Sequence, residues 1–113
     1  LSSNGKPEWN DDGKAVVSLP QTQFSPQTAS WKDGGVIIAW EDFRNGRDYE
    51  IYMQQLGQDG RTAWEDNGIN VQSRDGARKP KLLATPQDNS FYVFWEDYTG
   101  GGKAICGQRY LLY

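Results

Sequence analysis

Histidine is absent from the 113-residue sequence, and cysteine occurs once, as Cys106. Without histidine the chain has no Ser-His-Asp or Cys-His catalytic group of its own, and it lacks the commonest zinc ligand. A single cysteine forms no internal disulfide and no thiolate metal cluster. Cys106 lies within a predicted strand and is expected to be a small buried side chain. The sequence therefore predicts no catalytic residues, no metal site and no cofactor.

Long apolar runs and long basic runs are missing as well. The apolar run at residues 36–40 is far shorter than the ~20 residues that cross a bilayer as a helix. The net charge is -3, and no basic run is longer than the pair Arg78-Lys79. Nucleic-acid binding requires a basic stripe, which this chain lacks. We expect neither membrane insertion nor a nucleic-acid partner.

Aromatic residues, by contrast, are abundant. The mean hydropathy is only -0.81, yet the chain contains five Trp, six Tyr and four Phe residues. Disordered chains are poor in aromatic residues, so a folded chain is expected, with its polar residues concentrated in turns. The sequence begins at Leu1 without a recognisable signal peptide, as expected of a mature product or of a segment of a longer protein.

An internal repeat with a spacing of 54–55 residues runs through the whole sequence. The identities keep their order and are concentrated in Trp, Gly and Asp. They join Leu1, Gly5, Trp9, Asp11, Gly13, Val16, Ser18, Pro26, Trp40, Glu41, Asp42, Gly46, Ile51 and Gln54 to Leu56, Gly60, Trp64, Asp66, Gly68, Val71, Ser73, Pro80, Trp95, Glu96, Asp97, Gly101, Ile105 and Gln108. Two copies of one unit, residues 1–56 and 57–113, account for this pattern.

Each repeat is predicted to contain four short strands. The continuous apolar runs at 36–40 and 91–95 indicate central strands that are covered on both faces. Turn sequences on either side predict first strands at 26–31 and 80–84, third strands at 49–56 and 103–110, and fourth strands at 14–19 and 69–73. In this order one unit is complete at 26–73, the next has only three strands, and 14–19 is a fourth strand separated from the unit that it would complete.

Four antiparallel strands per repeat of this length are typical of a β-propeller blade, which its neighbours bury on both faces. The predicted fold is all-β, with two four-stranded antiparallel blades that belong to a larger or oligomeric propeller. A β-sandwich is the alternative architecture, but it would not require the repeat. Because two blades do not close a ring, we expect partners: copies of this chain in a cyclic homo-oligomer, or further blades of a parent chain.

Residues 35–56 resemble a propeller repeat of large secreted bacterial proteins. The pattern of that family is an apolar residue, Trp-x-Asp-x-Arg-x-Gly, then an acidic residue and Ile-Tyr-x-Gln. The first copy matches it at Trp40, Asp42, Arg44, Gly46, Glu50, Ile51, Tyr52 and Gln54. The second copy departs from it at Thr99 and Cys106. The resemblance implies a secreted bacterial protein, extracellular or at the cell surface.

The blade layout is also similar to that of sialidases, in which an Asp-box turn joins the third and fourth strands. Residues 58–64 and 3–9 occupy the corresponding places, although the Asp or Asn directly precedes Gly instead of standing one residue away. A part of a sialidase-like or other glycosidase propeller is therefore the alternative function, by analogy of fold.

Two carboxylate pairs, Glu41-Asp42 and Glu96-Asp97, lie at predicted strand ends. Such a pair could serve as acid and base in glycoside hydrolysis. A catalytic pair is needed once in an enzyme, however, and not once in every blade. Asp42 and Asp97 are therefore predicted to accept backbone N–H bonds within their own turns.

Two arginines are candidates for binding a ligand carboxylate. Arg44 lies in the turn after the first central strand, where pairing with Asp42 or Asp48 is the structural alternative. Arg78 precedes Lys79-Pro80 and is similar to the Arg-x-Pro with which sialidases bind their substrate. The first repeat has no arginine at that position.

Trp9 and Trp64 are the candidates for stacking on a sugar ring, because both lie in long loops. Their recurrence at one repeat position favours packing between blades over ligand binding. The predicted function is a non-catalytic extracellular β-propeller module that binds a glycan or a protein, or that serves in scaffolding and assembly.

Overall fold

The computed structural model describes residues 5–71 and 73–112. Within these residues the protein is all-β: seven strands form two antiparallel sheets, and three short 3-10 segments lie in the turns between strands. Leu1 of the repeat, Ser3 and Asn4 of the first Asp-box-like turn, and Gln72 of a predicted fourth strand lie outside the described residues. No helix in the described part of the chain is long and apolar enough to cross a membrane.

Each sheet is formed by strands that follow one another in the chain. The first sheet has the order β1-β2-β3-β4, with β1 at Gln23–Ser30, β2 at Val36–Asp42, β3 at Glu50–Leu56 and β4 at Ile69–Asn70. The second sheet has the order β5-β6-β7, with β5 at Ala77–Thr85, β6 at Ser90–Asp97 and β7 at Ala104–Leu111. The predicted central strands are β2 and β6, which confirms that part of the sequence interpretation.

The hairpins β1-β2 and β5-β6 are closed by 3-10 turns at Lys32–Gly34 and Pro86–Asp88. Asp33 and Asn89 in these turns have φ values of 55° and 57°. Asp and Asn tolerate this left-handed region better than other non-glycine residues, because their short side chains bond the local backbone. The predicted hairpin turns are therefore present.

Both β1 and β5 carry a bulge beside a proline. The pairing register shifts between Phe24 and Gln27 in β1 and between Arg78 and Lys81 in β5. Within the bulges, Ser25 and Lys79 have φ values of 58° and 56°. Each of these residues directly precedes its proline, Pro26 or Pro80.

The two sheets pack against each other through one face of each, which we call the inner faces; the opposite faces are the outer faces. Side chains alternate between the two faces of a strand, and alternate residues of the central strands form the core. The core cluster contains Ile37, Ala39, Ile51, Met53, Val71, Ala77, Phe91, Val93 and Trp95. The outer face of β2 is buried or half-buried as well, whereas Phe94 on the outer face of β6 is exposed. The prediction of cover on both faces is therefore confirmed for β2 and not for β6.

Residues 14–19 form no strand, so the prediction of a strand at this position is wrong for the single chain. The segment lies against the outer face of the first sheet, where Val16 and Val17 line a pocket of about 150 Å³ together with Ile38 and Trp40. A strand requires an unpaired edge beside it to satisfy its N–H and C=O groups. The backbone N–H of Ser18 instead donates to a side chain, Asn67 Oδ1, at 3.0 Å.

The second sheet has three strands and not four. The predicted strand at 14–19 does not complete it, because this segment lies on the far side of the first sheet. The fourth strand of the first sheet is present but short, with pairing over Ile69–Asn70 only. Just beyond it the Val71 N–H donates to Ile51 O at 2.9 Å, and the Ile51 N–H donates to Ser73 Oγ at 2.9 Å.

Candidate functional site

The turn after β2 is built around the carboxylate of Asp42, which is fully buried. Its Oδ1 accepts the backbone N–H of Arg44 at 2.8 Å, and its Oδ2 accepts the indole N–H of Trp40 at 2.8 Å. Arg44 adds two side-chain bonds, from Nε to Oδ1 at 2.9 Å and from Nη2 to Oδ2 at 2.8 Å. This two-point contact is the geometry in which arginine binds a carboxylate most strongly.

Arg44 is thereby engaged inside the fold. Its Nη2 also donates to Asn67 O at 2.7 Å, and its guanidinium carbon lies 3.6 Å from the centroid of the Tyr52 ring. Arg44 thus joins the turn after β2 to the turn before β4. The structure thus contains the ion pair between Arg44 and Asp42 that was the alternative to ligand binding by Arg44. Little of the guanidinium is left for a ligand.

Burial raises the pKa of Asp42, but the hydrogen bonds from Arg44 and Trp40 outweigh burial and hold the pKa below its ordinary value. A carboxyl whose pKa is lower in the folded state than in the unfolded state stabilises the fold above the unfolded pKa. That stability is lost as the pH falls through the folded pKa. Asp42 therefore contributes at neutral pH and progressively less in acid.

We expect Asp42→Asn to lower the free energy of unfolding by about 1.5–3 kcal/mol at pH 7, because hydrogen bonds to an ionised group are lost. The difference in the free energy of unfolding between the variant and the wild type should become smaller below about pH 4, the ordinary pKa of aspartate. Urea unfolding at pH 7 and at pH 3 measures both values. Asp59→Asn is the matched control at an exposed position. An equal difference at the two pH values would contradict this account.

The equivalent turn, which follows β6, is held by fewer side-chain hydrogen bonds. The Thr99 N–H donates to Asp97 Oδ1 at 2.8 Å, and hydrogen bonding from Thr99 lowers the pKa of Asp97. Thr99 stands where the first repeat has Arg44, so no guanidinium spans this turn. Cys106 is half-buried, not buried as expected, because β7 is an edge strand. Its thiol lies 3.8 Å from Asp97 Oδ2.

Arg78 forms an ion pair between the two sheets. Its Nε donates to Glu41 Oε1 at 2.7 Å, and the backbone N–H of Lys79 donates to Glu41 Oε2 at 2.9 Å. The Arg78 guanidinium carbon also lies 4.4 Å from the centroid of the Tyr49 ring. Arg78, a candidate for ligand binding, is therefore held mainly by the other sheet.

Glu41, which received no structural role from the sequence alone, is the partner that fixes Arg78. Glu41 and Asp42 are adjacent in β2, so their side chains point to opposite faces of the sheet. Asp42 bonds its own turn while Glu41 bonds the second sheet. The two carboxylates therefore do not face a common substrate in the way that a glycosidase pair must.

Trp64 and Trp9 have different surroundings. Trp64 is half-buried and stacks on Phe91 of the second sheet, with ring centroids 6.1 Å apart and an interplanar angle of 25°. Trp9 is 43% exposed. Its indole N–H donates to Gln58 O at 2.9 Å, and its ring lies over Gly60. Packing between the sheets accounts for Trp64, whereas Trp9 lies at the surface.

A buried amide, Gln54, positions the turn that carries Trp64. Gln54 Oε1 accepts the backbone N–H of Trp64 at 2.9 Å, and Gln54 Nε2 donates to the backbone oxygen of Glu65 at 2.7 Å. Gln54 is fully buried. Sequence reasoning assigned no role to this residue, although the identity of Gln54 and Gln108 in the repeat was a usable signal.

No group of three or more His, Cys, Asp or Glu side chains within residues 5–71 and 73–112 is arranged to hold a metal ion. Comparisons of the chain with protein-family models, with curated proteins and with solved structures give no match. Its function is therefore inferred from its own residues and contacts.

Proposed function

We propose that the chain forms two consecutive blades of a β-propeller and acts outside the cell as a non-catalytic assembly module. The face-to-face packing of two sheets that repeat the same structural devices carries this proposal. Neighbouring blades of a propeller pack in this way, each burying one face of the next. The resemblance of residues 35–56 to secreted bacterial propeller repeats supports the extracellular location.

The repeated devices occur at equivalent positions of the two sheets. A bulge with a positive φ precedes a proline in both β1 and β5. In both central strands a buried tryptophan precedes, by two residues, an aspartate that accepts an N–H of its own turn. Recurrence of packing, turn and bulge at one spacing is expected of blades, whereas a sandwich does not require it.

The charged side chains support a non-catalytic role. Asp42 and Arg44 satisfy each other within one turn, and Glu41 and Arg78 satisfy each other between the sheets. Groups used for acid–base chemistry must reach the reacting atoms of a substrate. These four groups instead connect parts of the fold.

An experimental structure of the chain tests the blade assignment. We expect β1 and β5 to lie nearest to a common axis, with β4 and β7 at the periphery, because the sheets of a propeller are arranged radially. Two sheets closed into a sandwich, with outer faces exposed to solvent and no common axis, would contradict it.

Glycan binding at Trp9 is the second candidate function. Trp9 lies beside Glu8, Asn10, Asp11 and Gln58 in a surface cavity of about 510 Å³. An exposed aromatic ring among polar side chains is suited to stacking on a sugar while hydrogen-bonding its hydroxyl groups.

If the chain binds a glycan through this cavity, we expect Trp9→Ala to weaken binding by at least about tenfold, equivalent to about 1.4 kcal/mol. A glycan array followed by titration calorimetry measures the effect. Tyr98→Ala is the control, since Tyr98 is an equally exposed aromatic residue outside the cavity. Equal losses in the two variants, or no glycan bound by the wild type, would eliminate this candidate.

A further inference from the structure

We propose that the outer face and the β7 edge of the second sheet bind the first sheet and residues 9–18 of a second copy of this chain, head to tail. This inference rests on the proposed function and identifies its partner.

The outer face of the second sheet is apolar and exposed. Among the described residues, six large apolar side chains are exposed, and four of them lie on this face: Leu83, Phe94, Ile105 and Leu111. Ile105 is 70% exposed and Leu83 is 56% exposed. The Phe94 ring lies flat over Gly107, where a Cβ atom would come within 2.4 Å of it. A continuous patch of this kind on a soluble domain marks an interaction surface.

The repeat shows what covers such a face. The equivalent face of the first sheet carries Ile37, Ala39, Ile51 and Met53, the repeat equivalents of Tyr92, Phe94, Ile105 and Gly107. These four residues are at most 1% exposed because the inner face of the second sheet packs on them. The residues that cover them include Phe91 and Val93. The repeat equivalents of these two are Val36 and Ile38, which lie half-buried on the outer face of the first sheet. The chain thus carries both halves of the same interface.

Pro26 and Ser25 of the first sheet would add one apolar and one polar contact to this interface. Pro26 is exposed, whereas its equivalent Pro80 is fully buried. Ser25 is exposed and has nearly the same positive φ as its equivalent Lys79, whose N–H donates to Glu41. By the same geometry, Glu96 on the outer face of the second sheet would accept the Ser25 N–H of a second copy.

The β7 edge has a matching segment in residues 9–18. These residues are the repeat equivalents of 64–73, which cover the β3 edge through Trp64 and β4. Gln54 in β3 is fully buried beneath that segment, while its equivalent Gln108 in β7 is exposed. Tyr52 pairs with Asn70 in the first sheet. The equivalent pairing places Cys106 of one copy opposite Ala15 of the next.

The two halves do not meet within one chain. Residues 9–18 lie against the first sheet and the exposed apolar face belongs to the far side of the second sheet. Contact between unlike surfaces is heterologous, and it forms a ring when the rotation from copy to copy closes. A propeller requires ~4–8 blades, so several two-blade chains would form one closed ring.

Light scattering and a charge substitution provide the first test. We expect the wild-type chain to have a discrete mass that is a multiple of 12.8 kDa. Ile105→Glu buries a carboxylate in the proposed contact and should raise the dissociation concentration at least ~100-fold. Gln87→Glu, an exposed position in a turn of the same sheet, adds the same charge and should have no such effect. Circular dichroism checks that each variant is folded.

A cross-link provides the second test. In Ala15→Cys, oxidised glutathione should produce disulfide-linked dimers and larger species through native Cys106, because directly opposed residues of antiparallel strands lie within reach of a disulfide. The ladder should disappear when Cys106→Ser is added, and Gln87→Cys in the wild-type background should not give it.

A single-chain mass at every concentration would overturn the proposal, and so would aggregates without a discrete mass, a mass unaffected by Ile105→Glu, or no cross-link through Cys106. A monomer whose experimental structure keeps the blade arrangement would overturn this inference alone and assign the surface to further blades of a longer chain. Sheets that are not arranged as blades would overturn the proposed function as well.

Discussion

Trp40→Ala is expected to lower the free energy of unfolding by about 3–5 kcal/mol, the usual cost of truncating a large buried aromatic side chain. Trp40 is only 2% exposed. It fills the space between β2 and the turn at Gly68, and it donates its indole N–H to the buried carboxylate of Asp42. The substitution therefore opens a cavity and removes a hydrogen bond to an ionised group.

Urea unfolding followed by far-ultraviolet circular dichroism measures this cost without relying on tryptophan fluorescence. Trp9→Ala is the matched control, because it removes the same side chain from a position that is 43% exposed. We expect the control to cost less than about 2 kcal/mol, as is usual for substitutions away from the core. Similar costs for the two variants would show that Trp40 is not packed as described.

Gly68→Ala is expected to destabilise the protein by about 2–5 kcal/mol, from backbone strain and overpacking together. Gly68 has a φ of +86°, and a Cβ atom there would lie 2.6 Å from the Trp40 ring and 2.8 Å from Met53 O. A backbone oxygen in a sheet does not move aside without breaking strand pairing. The added methyl group therefore has no space.

Gly46→Ala separates the two contributions. Gly46 has a φ of +75°, but no atom lies within 4 Å of the Cβ position, so only backbone strain of about 1–2 kcal/mol is expected. Thermal unfolding of the two variants under one set of conditions gives the difference. If Gly68→Ala were no worse than Gly46→Ala, the close approach of Trp40 to this turn would be wrong.

The central strands and their turns were predictable from the sequence because their signals are local. The apolar runs within β2 and β6 lack polar alternation, which is typical of buried central strands, and within the chain β2 is covered on both faces while β6 is covered on its inner face. The hairpin turns contain Asp and Asn, which tolerate a positive φ. Asp42 lies at a strand end followed by a turn, where a carboxylate bonds backbone amides most readily.

Contacts between segments distant in sequence were not predictable in the same way. The bond from Arg78 to Glu41 depends on how the two sheets are positioned against each other, and the resemblance of Arg78-Lys79-Pro80 to a substrate-binding motif gives no indication of Glu41 as a partner. The segment at 14–19 has the sequence of a strand but forms none here. Whether such a sequence becomes a strand depends on whether an open edge lies beside it.

The bulges of β1 and β5 limit the sheet edges at which another strand can pair. Both strands lie at sheet edges, and each edge is interrupted by a positive φ and by a proline that has no N–H to donate. Bulges and prolines at an edge prevent the addition of another strand, which is how natural sheets avoid amyloid-like aggregation. The β7 edge has neither device within Ala104–Leu111. Strand addition is therefore favoured at only one side of the second sheet, and uncontrolled fibre growth through β1 or β5 is disfavoured.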